Sequence, residues 1–441
     1  MIVNKTFDTA IIGSGVVGSA LLFTLARYTD INNIILFEKY EEPALLNSNP
    51  KANSQTLHIG DIETNYTLEK ARTVKHNAAM IANYITHFGQ EERIGFRRDK
   101  MILAVGDEEV AALEERYRTF SELFPYYIRM EGDQLREKEP MLMEERSQKV
   151  LALAVEGEIT TVDFKLLSED FIRQALETEK NVQMHYKEPV ERITQRPDGL
   201  FEIVTPNSTY TARTVVANAG AYSLLFAQHL GHGKNLAILP IGGSFFFTTR
   251  KLLNSKVYTM QHPKLPFAAV HADPDITADW NTRFGPTAFA LPKLERYRQA
   301  HIMDLLEAMD IGKDTLEVYY NLLKDSTIRN YIFHNFLDEL PYVGKHVFVK
   351  DARKIIPSMS ADDLVFADGY GGMRPQIIDK NTHQLMMGEA KLTVGGAIFN
   401  MTPSPGASTS LAIAEKDARQ ICGHLDKTFD DTLHAKEILN P

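Results

Sequence analysis

Short apolar runs alternate with polar, glycine-bearing turns along this chain, and the first forty residues set the pattern. Residues 7–12 (FDTAII) are mostly apolar and of strand length, the mark of a strand buried on both faces of a parallel sheet. GSGVVG follows at 13–18, SALLFTLARY then reads as a helix, and NIILFEKY at 33–40 reads as a second strand ending near Glu38. Each glycine has a separate task in such a unit. Gly13 permits the tight turn, Gly15 lets the backbone approach a pyrophosphate, and Gly18 lets the helix pack closely on the strand. The helix start offers N–H groups and a positive dipole end to phosphates. Glu38 stands 20 residues after Gly18, placed to accept from ribose hydroxyls, and a carboxylate there disfavours the 2′-phosphate of NADP.

Beyond this unit the pattern predicts helices over 66–88 and 107–123, with a strand-like run ending at 105 between them. A turn leading into a helix is expected over 158–176. Strands are expected at 187–193 and 201–205, joined through Pro197-Asp198-Gly199, and a strand ending in a small-residue turn over 211–223. Strand-like pieces with prolines and glycines run from 239 to 290. Residues 293–324 read as helical, with Leu294, Tyr297, Leu305, Leu306 and Met309 on one face. Strands and turns return over 346–399, and SPGAST at 404–409 opens a final helix to about 424. No repeat or low-complexity segment interrupts this.

A phosphate-type turn at one extreme of the chain and a glycine-bearing turn into a helix at the other imply a domain assembled from both ends. The expected fold class is α/β plus α+β. A Rossmann-like dinucleotide-binding domain is expected to comprise 1–90, 155–235 and 345–441. An inserted substrate domain on an antiparallel sheet comprises 91–154 and 236–344.

Composition narrows the function. The 441 residues suit two to three domains, or one with large insertions. The net charge of −10 argues against a nucleic-acid partner, which needs a basic face. Cys422 is the single cysteine, so neither an intrachain disulfide nor a thiolate metal cluster forms, no metal is expected, and a reducing compartment fits. The N-terminus faintly resembles a signal peptide, but it lacks a clear cleavage site and glycines interrupt it; it reads as mature protein. No run of 18 apolar residues exists, so any membrane contact is peripheral.

Four further stretches, TVDFKLLSEDFI at 161–172, VVANAGAYS at 215–223, GMRPQI at 372–377 and SPGAST, make the chain resemble flavin-dependent oxidoreductases of the D-amino-acid-oxidase-like superfamily. Within that group it resembles the malate:quinone oxidoreductases, through NSQTLHIGDIETNYT at 53–67, LPIGGSFFF, FAAVHADPD, FGPTA and NMTPSPGAS in the same order. Much of that family has an NSGTGHA-type stretch where this chain has NSQTLHIG, with Gln55 and Leu57 in place of small residues. The resemblance implies non-covalent FAD, oxidation of L-malate to oxaloacetate within the tricarboxylic acid cycle, and electron transfer to a quinone. It also implies a cytoplasmic protein held peripherally on the inner face of the cytoplasmic membrane. The residues expected at the cofactor are Gly13, Gly15, Val17, Gly18, Glu38 and Lys39 of the first unit, Ser54, Gln55 and Thr56, Val190, Ala219 and Gly220, Gly372 and Arg374, and Pro405, Gly406, Ala407 and Ser408.

Oxidising a 2-hydroxy acid needs an acceptor against the C2 hydrogen, a base for the hydroxyl proton, and cations or N–H donors for the carboxylates. The helix start after Ser404-Pro405-Gly406 would supply positive potential to a reduced flavin; the plainer reading is an ordinary N-capped helix. Among 14 histidines, two sit in motif-bearing stretches and are candidates for the base. His271 ends PFAAVH with Asp273 near enough to orient it. His58 follows Asn53, Ser54 and Thr56. A hydrogen-bonded structural histidine is the alternative at either position. Arg374 is the leading carboxylate clamp, unless it pairs with Asp368 or Asp379. Arg283, with His271, completes the substrate-binding set if the substrate is a dicarboxylate. The stretch Lys293–Met309, with Lys293, Arg296 and Arg298 near one end, either rests on an anionic membrane or packs on the substrate domain. Competing functions are a related dehydrogenase or oxidase acting on L-lactate or L-2-hydroxyglutarate, and a binding protein that uses the nucleotide as a sensor.

Overall fold

The computed structural model describes residues 6–261, 270–291, 293–297, 302–309, 312–324, 329, 335, 337–340, 343–386, 390–401 and 405–440. Two large sheets organise them. The first has the strand order Lys391–Val394, Ala397–Asn400, Thr209–Ala217, Phe7–Ile12, Asn33–Phe37, Asn181–His185, with Phe201–Val204 and Arg192–Gln195 branching from Thr209–Ala217. Phe7–Ile12 lies at its centre, parallel to both neighbours. Ile11 packs under the helices Val16–Tyr28, Phe164–Leu176 and Ser410–Leu425, while Phe7, Ala10 and Ile12 face a second core with Phe37, Phe201 and Val215. Covering on both faces is why the strand is a near-continuous apolar run. The Phe23 ring meets Tyr28, Tyr84 and Phe171 at 5.3–5.4 Å and fills the helical side. Ala397–Asn400 brings the C-terminal part of the chain beside Thr209–Ala217, so the sheet is assembled from both ends as the two terminal turns implied.

The second sheet has ten strands, in the order Gln384–Leu385, Leu364–Asp379, Leu236–Thr248, Thr282–Gly285, His271–Pro274, Lys256–Thr259, Lys100–Val105, Val150–Val155, Ile128–Met130, with Phe289–Ala290 beside Leu236–Thr248. It is antiparallel except where Lys256–Thr259 meets Lys100–Val105. Leu364–Asp379 belongs to this sheet although it follows residue 345, the expected domain boundary. One face carries Val257, Ala272 and Phe284, which pack with Phe348, Val349 and Ile355 of the helix Gly344–Ile355. The opposite register positions, Lys256, Tyr258, His271, Asp273, Arg283 and Gly285, therefore share the other face.

Several elements differ from expectation. Residues 159–162 form a strand, paired with Gly95–Arg97, where a turn was expected. The strand expected from 187 starts at Arg192, because the chain turns at Lys187 with φ of 55°. Gly344–Ile355 is a helix where strands were expected; its buried Phe348, Ala352 and Ile355 recur at helical spacing. The final helix begins at Ser410, after turns at 405–409. The helix expected over 293–324 divides into Ile302–Met309 and Lys313–Lys324, and residues 293–297 are non-helical. Leu294 is buried while Tyr297 is exposed, so the two do not form one apolar stripe. Arg296 is held by Glu339 at 2.8 Å. Arg298, the Leu305 side chain, Ser404 and most of the PFAAVH run lie outside the described residues.

Candidate functional site

A cavity of about 910 Å³ joins the first sheet's glycine turn to the polar face of the second sheet. At one end the turn is built by close backbone approach. Gly13 has φ of +95°, and a β-carbon there would stand 2.6 Å from the Asn218 carbonyl oxygen; one on Gly18 would stand 1.9 Å from the Gly13 oxygen. Gly18 accordingly packs strand and helix together and does not line the cavity, whereas Gly13, Gly15 and Val17 do. Ser19 gives the first helical N–H bond, to Gly15 at 2.9 Å, so the N–H groups ahead of it have no acceptor within the helix. Glu38 stands at the tip of the second strand and accepts from the Ser14 N–H and hydroxyl at 2.9 and 2.8 Å. Lys39, also on the wall, pairs with buried Glu295.

Val190, Ala219 and Gly220 line the same end. Beside them stands Asn218, whose Oδ1 accepts from Asn400 at 2.8 Å while its buried Nδ2 has no acceptor in the protein. Such a donor costs about 1–3 kcal/mol unless a ligand oxygen meets it. The glycine turn, the acidic strand end and this orphaned amide fit the adenosine diphosphate half of FAD, which FMN lacks. Asn218 went unnoticed in the sequence although it lies within VVANAGAYS.

The polar run 53–67 forms the middle of the wall. Ser54, Thr56 and His58 face the cavity. His58 Nδ1 lies 2.5 Å from Glu63, its Nε2 lies 3.3 Å from the Ser54 hydroxyl, and its N–H donates to Ser408 Oγ at 2.9 Å. Burial pushes the Glu63 carboxyl up, but the His58 contact more than offsets this and leaves it below the usual range. Gln55 turns away, with φ of 55°, and its amide is held by Asp275 and the Pro50 carbonyl at 3.0 and 3.1 Å. It supports the loop from behind. Pro405, Gly406, Ala407 and Ser408 line the cavity as well, as do Gly372 and Arg374. Gly372 is packed tightly, since a β-carbon there would meet the Ala52 oxygen at 2.4 Å.

At the far end the second sheet presents His271 and Tyr258, rings stacked at 4.5 Å. Tyr258 OH lies 2.6 Å from Thr56 Oγ1, and burial pushes its phenol well above the ordinary value. His271 Nδ1 lies 2.5 Å from Asp273 Oδ2, off the line of a well-formed hydrogen bond. Burial lowers the His271 imidazole despite that carboxylate. For Asp273, burial is outweighed by the charges of His271 and Lys256, which hold it below the usual carboxylate range. Arg283 does not reach the cavity. It is fully buried, paired with Asp275 at 2.7 Å, donating to the Asn53 carbonyl at 2.8 Å, and stacked over Phe245. The substrate contact expected of it is therefore replaced by a bracing role, because Asp275 and the loop carbonyl take up its two terminal nitrogens away from the cavity. Lys256 and Tyr258 were also missed; all four residues of the strand KVYT are buried, so no polar–apolar alternation marks them. Cys422 is buried in the final helix, away from the cavity lining, and burial pushes its thiol up to about 11.

The fold and this site define an FAD-dependent oxidoreductase. Residues 5–436 match the family described as Malate:quinone oxidoreductase (Mqo), and the chain belongs to that family. A "Probable malate:quinone oxidoreductase" of Campylobacter jejuni is 47% identical, over 99% of this chain and 100% of that protein. A "Malate:quinone oxidoreductase" of Helicobacter pylori is 41% identical, over 97% and 96%. Among solved structures, an L-alpha-glycerophosphate oxidase from Mycoplasma pneumoniae with FAD bound superposes with a TM-score of 0.66 at 19% identity, covering 96% of each chain. An L-amino acid deaminase from Proteus vulgaris reaches 0.67 at 13%, covering 95% and 94%. At such identities the two structures speak to the fold.

Gly15→Val should abolish FAD binding, since its side chain would enter the space beside the turn. Absorbance of the purified variant checks this, and a folded protein with full flavin would show that the phosphates lie elsewhere. From the wild type, acid precipitation should release the yellow colour into the supernatant; colour in the pellet would mean a covalent link.

Proposed function

We propose that this chain oxidises L-malate to oxaloacetate and reduces a quinone to quinol, the two electrons and two protons removed from malate appearing on the quinol. The observation that carries the reading is one continuous cavity, in a chain of this family, that runs from a dinucleotide turn to a buried histidine–carboxylate pair. When bound, FAD supplies the acceptor for the C2 hydride.

The chain's own residues divide the remaining work. The helix start at Gly15 and Val17 and the Asn218 amide hold the pyrophosphate half, and Glu38 takes the ribose. Ser54, Thr56 and the 405–408 turn hold the ring end. His271 takes the hydroxyl proton. Asp273 orients its Nδ1 side, and burial favours the neutral imidazole that a base requires. Arg374 grips a malate carboxylate. His58 is the second candidate base, backed by Glu63.

Quinone dissolves in lipid, and among the described residues no helix is long and apolar enough to cross a membrane. Peripheral contact with the inner face of the cytoplasmic membrane meets that need. The divided 293–309 segment is a poor membrane helix. Lys313–Lys324 is better suited: Leu316 and Tyr320, one turn apart, are 53% and 65% exposed.

His271→Ala should slow flavin reduction by malate roughly 10²–10⁴-fold in stopped flow; the same loss in His58→Ala with His271→Ala unaffected would exchange the two roles. Because burial lowers the His271 imidazole, wild-type reduction should persist below pH 6.5, the ordinary histidine value, before declining. A decline centred above that value would assign the base elsewhere.

Arg374→Met should cost about 2–5 kcal/mol in kcat/KM for malate with flavin retained. Unchanged kinetics would make Arg374 structural.

Reduced enzyme should be reoxidised faster by a soluble quinone than by air-saturated buffer; the reverse order would make it an oxidase. Liposome flotation should weaken in Leu316→Glu/Tyr320→Glu, and equal flotation would move the contact to another surface.

A further inference from the structure

Three adjacent strands place an alternating row of charges beneath the candidate base. Lys256 lies opposite Asp273, and Asp273 opposite Arg283, all on the face away from the Val257–Ala272–Phe284 packing. Asp275 ends the row on the same side. A lysine as buried as Lys256, which is 1% exposed, is rare unless its charge is matched. Its ammonium donates to the Ser54 carbonyl and Thr56 Oγ1, each at 3.0 Å, and lies 3.5 Å from Asp273. Arg283 is taken up by Asp275 at 2.7 Å, which leaves Lys256 as the nearer cation to Asp273.

Both supports of His271 end at this ammonium. On the ring edge, Lys256 faces Asp273, which faces Nδ1. On the ring face, Lys256 holds Thr56, Thr56 meets Tyr258 OH, and the Tyr258 ring stacks on the imidazole. Through Ser54 the same ammonium fixes the loop that lines the cavity. We propose that Lys256 is a positioning residue for malate oxidation, fixing His271 through Asp273 and Tyr258 while tying the 53–58 loop to the second sheet. The inference rests on His271 as the base. With Asp273 held anionic against the Nδ1 side, Nε2 is left to accept the hydroxyl proton.

The charged and titratable groups around the imidazole are Asp273 and Asp275 on its own chain segment, Lys256 and Tyr258 on one neighbouring strand, and Arg283 on the other. His58, with Glu63 behind it, meets the Tyr258 ring edge-on, ring centroids 6.3 Å apart. Removing the Lys256 charge takes a cation away from His271, so protonated imidazole becomes easier to form and the base is lost at a higher pH.

The experiment is single-turnover flavin reduction by malate across pH in the FAD-loaded wild type, Lys256→Met, Lys256→Gln, Lys256→Arg and His271→Asn. Flavin content and melting temperature are measured alongside. Lys256→Met and Lys256→Gln should keep FAD, yet their acid limb should move up by about one pH unit. Lys256→Arg retains the charge and should hold the limb within about 0.3 unit of wild type. An unmoved limb in flavin-replete Lys256→Met or Lys256→Gln overturns the proposal. So does a limb in Lys256→Arg that moves about one unit, a comparison that stands even if the neutral variants do not fold. His271→Asn separates the two layers: it should abolish the limb, and a limb that survives refutes His271 as the base rather than Lys256 as its support.

Discussion

Three backbone segments meet at Gly13, Gly18 and Asn218 more closely than any side chain would allow, and the architecture around the cavity follows from that contact. The first strand, the first helix and the end of Thr209–Ala217 are fixed together within one turn of chain. The helix N-terminus is thereby aimed along the central strand and Glu38 brought beside the turn. Asn218 is carried to the cavity wall with its amide nitrogen unpaired in the protein. A β-carbon at Gly13 or Gly18 would separate these segments by the width of an atom, and the anion site would open with them.

The second sheet solves a different problem with one set of strands. Val257, Ala272 and Phe284 supply ordinary apolar packing against a helix. Their neighbours in sequence bury Lys256, Asp273 and Arg283 almost completely. Each buried ion costs several kcal/mol, and the alternation of sign keeps that cost from accumulating. What the row secures is orientation, for the loop through Ser54 and Asn53 and for the imidazole through Asp273. The apolar face stabilises the sheet, and the charged face determines what the sheet can do.

Much of this was legible in the sequence where a motif is local. The first unit could be read from glycine spacing and an apolar run, and the arrival of a late strand in the first sheet from the turn at 404–409, although Leu364–Asp379 falls in the other sheet. Within the candidate site, only contacts between residues near in sequence could be anticipated, as that of His271 with Asp273. Arg283 misled because a buried arginine and a substrate arginine look alike until its partner, Asp275, is known. Lys256 was invisible for the converse reason: its partners Ser54 and Thr56 lie some 200 residues earlier, and no local pattern encodes a contact of that range. The helix Gly344–Ile355 was missed although its spacing was present, since the surrounding strands outweighed it.

The bond between His58 and Ser408 spans 350 residues, and the strand Ala397–Asn400 pairs with Thr209–Ala217, made long before it. On the ribosome, at about 5–20 residues per second, the nascent chain carries Phe7–Ile12 for much of its synthesis before Thr209–Ala217 emerges to pair with it. The cofactor cradle closes last of all. A strand so apolar, with an open edge for so long, invites pairing with the wrong chain. Biogenesis of this fold therefore depends on shielding an early strand until a later one arrives, and the cavity wall beside His58 stays open until Ser408 has been made.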